Sequence, residues 1–247
     1  MNGLWRLTWL EIKIFIREPL GLFGTVGVPV LVFLGLGRVM RGAATPASPE
    51  EAFLRAGLPV FAALLMAISA VVSLVTVIAI YREGGILKRL RATPLRPATI
   101  LVAHVLVKLL FTALTLALLI AAGRRVYAPD SPAQVIRFAA ALLFTTCSLL
   151  SVGFLIASLV PTARFAQPLA GVIFYPMIAL SGLFFPLALL PPWLEAVARI
   201  LPLTHAVSLM QGMWRGDPLS SHLWDAGVIA LVFAACTALS ARVFRWE

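Results

Sequence analysis

Long apolar runs separated by short polar connections organise this chain, and an amphipathic segment precedes the first of them. Over residues 4–18, Trp5, Trp9, Ile12 and Ile16 recur at helical spacing, while Arg6, Lys13 and Arg17 form a neighbouring basic strip. That pattern predicts a helix lying in the headgroup plane of a bilayer, anchored by its tryptophans and stopped by Pro19. Six apolar stretches follow, roughly 20–37, 58–80, 99–122, 138–160, 165–185 and 225–243. Each is close to the roughly 20 residues that a helix needs to cross a hydrocarbon core. Pro29, Pro168 and Pro176 fall inside them, and spanning helices tolerate proline because neighbours re-satisfy the freed backbone groups.

The region after the fifth stretch breaks this rhythm. Pro191-Pro192 opens a short amphipathic segment with Glu195 and Arg199 at i, i+4 and with Trp193, Val197, Ile200 and Leu201 on the opposite face. Pro202 ends it, and His205–Trp214 reads as a second short helix. Two half-length helices between spans predict a re-entrant or surface-lying hairpin on the outer side. An ordinary outer loop holding two short helices is the alternative.

Composition agrees with a membrane class. Hydrophobic residues make up 61% of the 247 and charged residues 12%, with a mean hydropathy of +1.00. Soluble domains carry roughly 45–50% apolar and about 25% charged residues. The net charge of +10 is scattered between apolar stretches and gathered on no one face, which argues against nucleic acid and for control of topology. With six spans, both termini share a side, and that side holds Arg6, Lys13, Arg17, the run Arg82 to Arg96, Arg164, Arg242 and Arg245. Glu50, Glu51, Asp130, Glu195, Asp217 and Asp225 fall opposite. Both termini are therefore expected on the cytoplasmic side of a cell inner membrane. Cys147 and Cys236 lie inside apolar stretches and imply no disulfide framework. Glu11, Lys13, Arg17 and Glu18 argue against a cleavable signal at the N-terminus.

The connection between the second and third stretches carries the densest chemistry. In Tyr81-Arg82-Glu83-Gly84-Gly85-Ile86-Leu87-Lys88-Arg89-Leu90-Arg91-Ala92-Thr93-Pro94-Leu95, the glycine pair is expected to break the emerging helix. Ile86, Leu87 and Leu90 then form a small apolar face flanked by Lys88, Arg89 and Arg91, and Pro94 stops it. Such a segment suits docking into a groove of another protein. A topogenic loop whose basic residues touch lipid phosphate explains the local pattern equally well.

This run resembles the signature of the type-2 ABC exporter permeases, the drug, lipid and polysaccharide efflux family. Leu180-Ser181-Gly182-Leu183-Phe184-Phe185-Pro186 with Leu190-Pro191-Pro192-Trp193-Leu194 is similar to that family's Ser-Gly-x-x-Phe-Pro and Pro-x-Trp-Leu run. Leu201-Pro202-Leu203-Thr204-His205-Ala206 with Gly212 and Arg215-Gly216 is similar to its Leu-Pro-Leu-Thr-Tyr/His element. Gln211 stands where many members have arginine.

The resemblance implies an all-α membrane protein: six transmembrane helices, an N-terminal amphipathic interfacial helix, and an outer re-entrant hairpin between spans five and six. It implies one permease domain over 1–247, with the interfacial helix at 1–19, a cytoplasmic coupling loop at 81–98 and the hairpin at 187–215. Two such subunits, as a homo- or heterodimer in membrane lipid, enclose a pathway for a hydrophobic or amphipathic cargo such as a drug, a lipid or a lipid-linked molecule. Each rests on a separate cytoplasmic ABC ATPase subunit that carries ATP and Mg, so this chain binds no cofactor and no metal and has no catalytic residue. ATPase coupling falls to Arg82, Glu83, Gly84, Leu87, Arg89, Leu90 and Arg91. From the residues themselves, Trp5, Trp9, Lys13 and Arg17 are expected to hold the interfacial helix, and the polar and apolar faces of the hairpin lead to an expected outer gate at Phe185, Pro186, Trp193, Glu195 and Arg199.

The residues themselves weigh against other classes. No Gly-x-x-x-x-Gly-Lys-Ser/Thr run occurs, so the chain has no phosphate loop of its own. An intramembrane enzyme needs converging acids, histidines or a nucleophile, yet the spans hold no acid beyond a terminal Asp225 and only His104. A proton- or sodium-driven carrier places ionisable groups near the midplane of broken helices, and Lys108 alone offers little for that. His104 and Lys108, at i, i+4 in the third stretch, read either as pathway or interface residues or as a lysine snorkelling to the headgroups. Ser69, Ser73 and Thr76, and Thr145, Ser148 and Ser151, form small polar stripes of the kind that more often pack helices than touch substrate.

Overall fold

The computed structural model describes residues 2–41, 49–85, 97–123, 132–160 and 162–243, and these are helical with short turns. Helix α1 (Asn2–Arg17) ends at Glu18, and Pro19 opens α2 (Pro19–Leu22). A wider π turn over Phe23–Gly27 leads into α3 (Val28–Arg41). The cause is Pro29, which has no N–H to offer the carbonyl four residues back and whose ring crowds it. The wider turn, with the Val28 N–H donating to the Phe23 carbonyl, carries the helix through. Next come α4 (Pro49–Glu83), α5 (Pro97–Gly123), α6 (Pro132–Leu159) and α7 (Ala163–Ala179). The two short helices after them are α8 (Pro192–Ile200) and α9 (Pro202–Arg215), followed by α10 (Leu223–Val243).

Among the described residues, five helical segments are long and apolar enough to cross a membrane: Pro19–Val39, Gly57–Glu83, Val102–Ala122, Pro132–Leu159 and Leu219–Arg242. The predicted fifth crossing, 165–185, differs. It is helical only as far as Ala179, because the chain turns at Leu180-Ser181-Gly182, where Gly182 takes φ of +78°. At 1.5 Å per residue its 17-residue helix is roughly 26 Å long, just short of the roughly 30 Å hydrocarbon core.

Helices α4 and α6 are the heart of the bundle. From Val60 to Ala79, α4 buries Ala62, Ala63, Leu64, Met66, Ala67, Ala70, Val71, Leu74 and Val75 almost completely. α6 packs along it, and α10, α9 and α7 close around the pair, while α3 lies against α4 and α1 lies along α5. The polar stripe of α6 ties helices together: Ser148 Oγ donates to the Ile229 carbonyl of α10 at 2.9 Å, and Ser158 meets Ser240 at 3.3 Å. Ser151 bonds back to the Ser148 carbonyl within its own helix.

Helix α5 shows how lipid inverts the usual pattern. Val102, Leu106, Leu110, Leu114 and Leu118, each four residues from the last, are exposed, whereas His104, Lys108, Thr112 and Thr115 are buried. In a bilayer the apolar row faces acyl chains and the polar row must find partners inside the protein.

The two short helices divide. α9 is a core element, burying Leu203, Ala206, Val207, Leu209, Met210 and Met213, while α8 leaves Trp193, Val197 and Ile200 exposed. The turn before α8 is held against α4 by Phe184, whose ring meets Phe61 edge-on at 5.5 Å.

Candidate functional site

The residues expected to meet an ATPase begin at the end of α4. Arg82 is half-buried, and its Nη1 donates to the Val160 carbonyl at 2.8 Å, so it caps the end of α6. Glu83 and Gly84 are exposed, and the helix stops there because Gly85 adopts φ of +64°, a left-handed conformation that favours glycine. Leu87, Arg89, Leu90 and Arg91 lie outside the described residues.

Directly beside this turn sits a buried polar cluster built from three helices. The Tyr81 hydroxyl of α4 donates to Glu11 Oε1 of α1 at 3.2 Å, and Glu11 Oε2 lies 3.5 Å from His104 Nδ1 of α5. The Tyr81 and His104 rings are 5.5 Å apart. One turn further along α5, Lys108 Nζ donates to Ser73 Oγ of α4 at 2.6 Å and lies 4.2 Å from the centre of the Phe15 ring. Phe15 in turn packs on Phe111 at 4.5 Å. Glu11, His104 and Lys108 are all less than a tenth exposed. Burial pushes the Glu11 carboxyl above its ordinary value, while the Tyr81 hydroxyl and the Lys108 charge pull it back.

This arrangement decides between the two readings of Lys108. Its ammonium turns inward to Ser73 and a phenyl face and does not snorkel outward along α5. It also assigns the two sides of α1. Thr8, Glu11 and Phe15 face the bundle, and Trp5, Trp9 and Ile16 are exposed on the other side. Lys13 and Arg17 are exposed too, with Lys13 Nζ 5.6 Å from the Trp9 ring. Sequence reasoning missed Glu11 as a site residue. Its signal was available: Thr8, Glu11 and Phe15 share a face at i, i+3, i+7, next to the tryptophan stripe.

At the other end of α4, Phe185 and Pro186 are exposed in the turn after α7, and Trp193 is exposed on α8. Glu195 and Arg199 pair at 2.6 Å along the polar side of α8. An exposed i, i+4 pair of this kind contributes about 0.3–0.5 kcal/mol. Phe185, Pro186, Trp193, Glu195 and Arg199 therefore lie apart from the Glu11 cluster. No group of three or more His, Cys, Asp or Glu among the described residues is arranged to hold a metal ion.

Comparison with known proteins fits this helical arrangement. The family model for the ABC-2 type transporter matches residues 2–213, from the first residue of α1 almost to the end of α9. The chain belongs to the ABC-2 type transporter family. It is a multi-pass membrane permease of the ABC transporter class. It is 26% identical to the daunorubicin resistance ABC transporter permease protein DrrB1 of Streptomyces coeruleorubidus, over 96% of this chain and 84% of that one. Against the probable multidrug ABC transporter permease YbhR of Escherichia coli (strain K12) it is 27% identical, over 66% of this chain and 45% of the relative. Nodulation protein J of Rhizobium leguminosarum bv. viciae is 25% identical over 42% of this chain and 40% of its own length. Within an ABC-2 permease, the cluster joining α1, α4 and α5 occupies the end of the bundle from which the loop after Gly85 departs.

Proposed function

We propose that this ABC-2 permease is the transmembrane subunit of an ATP-driven exporter, working as a dimer on separate cytoplasmic ATPase subunits that bind ATP and Mg. The cargo is a hydrophobic or amphipathic molecule, a drug or a lipid. The observation that carries this reading is a match running along 96% of the chain to a permease named for daunorubicin resistance. Phe, Leu and small polar side chains along the helices agree with such a cargo. In this reading α7 and the turn at 180–190 make the fifth of six crossings, and α8 with α9 forms the outer re-entrant hairpin. The termini lie in the cytoplasm.

The 81–98 loop receives the ATPase stroke, and the Glu11 cluster passes it on. A push on the loop moves the end of α4, and Tyr81 and Arg82 are fixed there to α1 and to the end of α6. The interfacial helix, α4, α5 and α6 then move as a linked set. At the far end, Phe185, Pro186 and Trp193, with the Glu195–Arg199 pair, form the outer gate.

The test is Leu87→Asp with Leu90→Asp in the full-length chain. The double variant is expected to insert normally but to lose co-purification of the ATPase and cargo-stimulated hydrolysis. Full ATPase retention and coupling in a correctly inserted double variant would reduce the loop to a topological signal.

A further inference from the structure

Outside the Glu11 cluster, the described residues hold one other dense group of ionisable side chains, where α9 meets the start of α10. Asp225 lies at its centre. Its Oδ1 is 2.7 Å from His205 Nδ1, and its Oδ2 accepts from the Ser208 hydroxyl at 2.7 Å and faces His222 Nδ1 at 3.1 Å. The other nitrogen of His205, Nε2, lies 3.0 Å from the Arg199 backbone carbonyl at the end of α8. His222 Nε2 reaches Asp217 Oδ2 at 3.5 Å.

The chemistry of these partners fixes a proton count. A backbone carbonyl only accepts, so His205 Nε2 must carry a hydrogen to bond Arg199. A carboxylate also only accepts, so Nδ1 must carry a second hydrogen. The alternative is a neutral imidazole facing a protonated Asp225. Either way, His205 and Asp225 together hold one proton more than a neutral imidazole beside a carboxylate. The Ser208 and His222 donors on Oδ2 favour the imidazolium–carboxylate form.

That proton has a structural consequence. It bonds α9 to α8 and to α10 at once, and Thr204 Oγ1 adds a 2.6 Å bond to the Ala198 carbonyl beside it. Both side chains bond carbonyls in the last turn of α8, where the Ala198 carbonyl also accepts the Leu201 N–H at 3.1 Å. The pocket is built closely: a Cβ on Gly212 would overlap the His222 ring, so only glycine lets that ring reach Asp225. Charged groups on the surrounding elements do not replace the proton. The Arg199 guanidinium is taken up by Glu195, Arg137 of α6 is exposed, and the charged side chains described on α4, Arg82 and Glu83, lie at the far end of the helix.

We propose that His205, Asp225, Ser208 and His222 form a proton-binding site that latches the outer helices α8 and α9 to the last membrane helix. Loss of the proton breaks either the bond to Arg199 or the bond to Asp225 and frees the α8–α9 corner to move.

The chain has three histidines, which makes the test direct. Full-length permease in lipid nanodiscs, labelled with 15N in its imidazoles, is compared with His104→Gln, His205→Gln and His222→Gln to assign the signals. In the wild type at about pH 6, His205 is expected to show two protonated ring nitrogens. As the pH rises and the second proton leaves, hydrogen-exchange protection of residues 199–209, corrected for intrinsic exchange, should fall at least tenfold in step. Asp225→Asn should give a neutral His205 and low protection at every pH, while His222→Gln should keep the His205 imidazolium. A single-proton His205 facing an ionised Asp225 in the acidic wild type overturns the proposal. So does protection that is unchanged while His205 loses its second proton.

Discussion

Tyr81→Phe isolates one bond of the Glu11 cluster. The substitution removes a hydroxyl that donates to Glu11 Oε1 at 3.2 Å and leaves the ring contact with His104 in place. A hydrogen bond to a charged group is worth about 1.5–3 kcal/mol in soluble proteins. Here the length exceeds the usual 2.7–2.8 Å or so for O–H···O, and bonds measured between membrane helices reach only about 1.7 kcal/mol. The expected loss is therefore about 1 kcal/mol, which lowers the melting temperature of a chain this size by about 2–4 °C. The assay is thermal unfolding of purified wild type, Tyr81→Phe, Glu11→Met and the double variant. In the Glu11→Met background the tyrosine change should cost almost nothing, because the acceptor is gone. The same melting loss in both backgrounds would refute the bond. Proton linkage adds an independent readout. Because the folded chain holds its Glu11 proton above the unfolded value of 4.5, the associated stability is complete below that pH. It is lost as the pH rises through the raised folded value. Glu11→Gln should flatten that decline and be relatively more stable on its alkaline side.

Ser73→Ala removes the acceptor of the 2.6 Å bond from Lys108 and should cost about 1–2 kcal/mol in the wild type. In a Lys108→Met background the same thermal assay should register less than about 0.5 kcal/mol. Gly153 lies where a Cβ would stand 2.8 Å from Val71 Cγ1, so Gly153→Val should force α4 and α6 apart and cost about 1–3 kcal/mol. Val71→Ala should recover part of that loss, and no recovery would place the damage elsewhere. For topology, a cysteine at Arg89 should react only from the cytoplasmic side and one at Ser48 only from the opposite side. Reaction of both from one side would rule out the six-span arrangement.

The sequence alone determined the class and most of the punctuation. Apolar runs of span length, with nearly all charges placed between them, leave a membrane bundle as the workable fold. The stops at Pro19, Gly84-Gly85, Pro191-Pro192 and Pro202 lie at helix ends because these residues act through their own backbone, whatever packs nearby. The ordered motifs at 81–95, 180–194 and 201–216 identified the family for the same local reason. Packing decided the rest. In lipid both sides of a helix can be apolar, so periodicity could not say that α9 sits in the core while α8 lies outside. It could not show the chain turning after Ala179 either, since residues 180–185 are as apolar as the helix before them. His104 and Lys108 were visible as polar residues in an apolar run, but their partners Glu11, Tyr81 and Ser73 come from helices far away in the chain. Asp225 likewise read as the polar start of a span until the fold brought His205 and Ser208 to its carboxylate. A buried charge is tolerable only where several elements converge on it, and that convergence belongs to the tertiary structure.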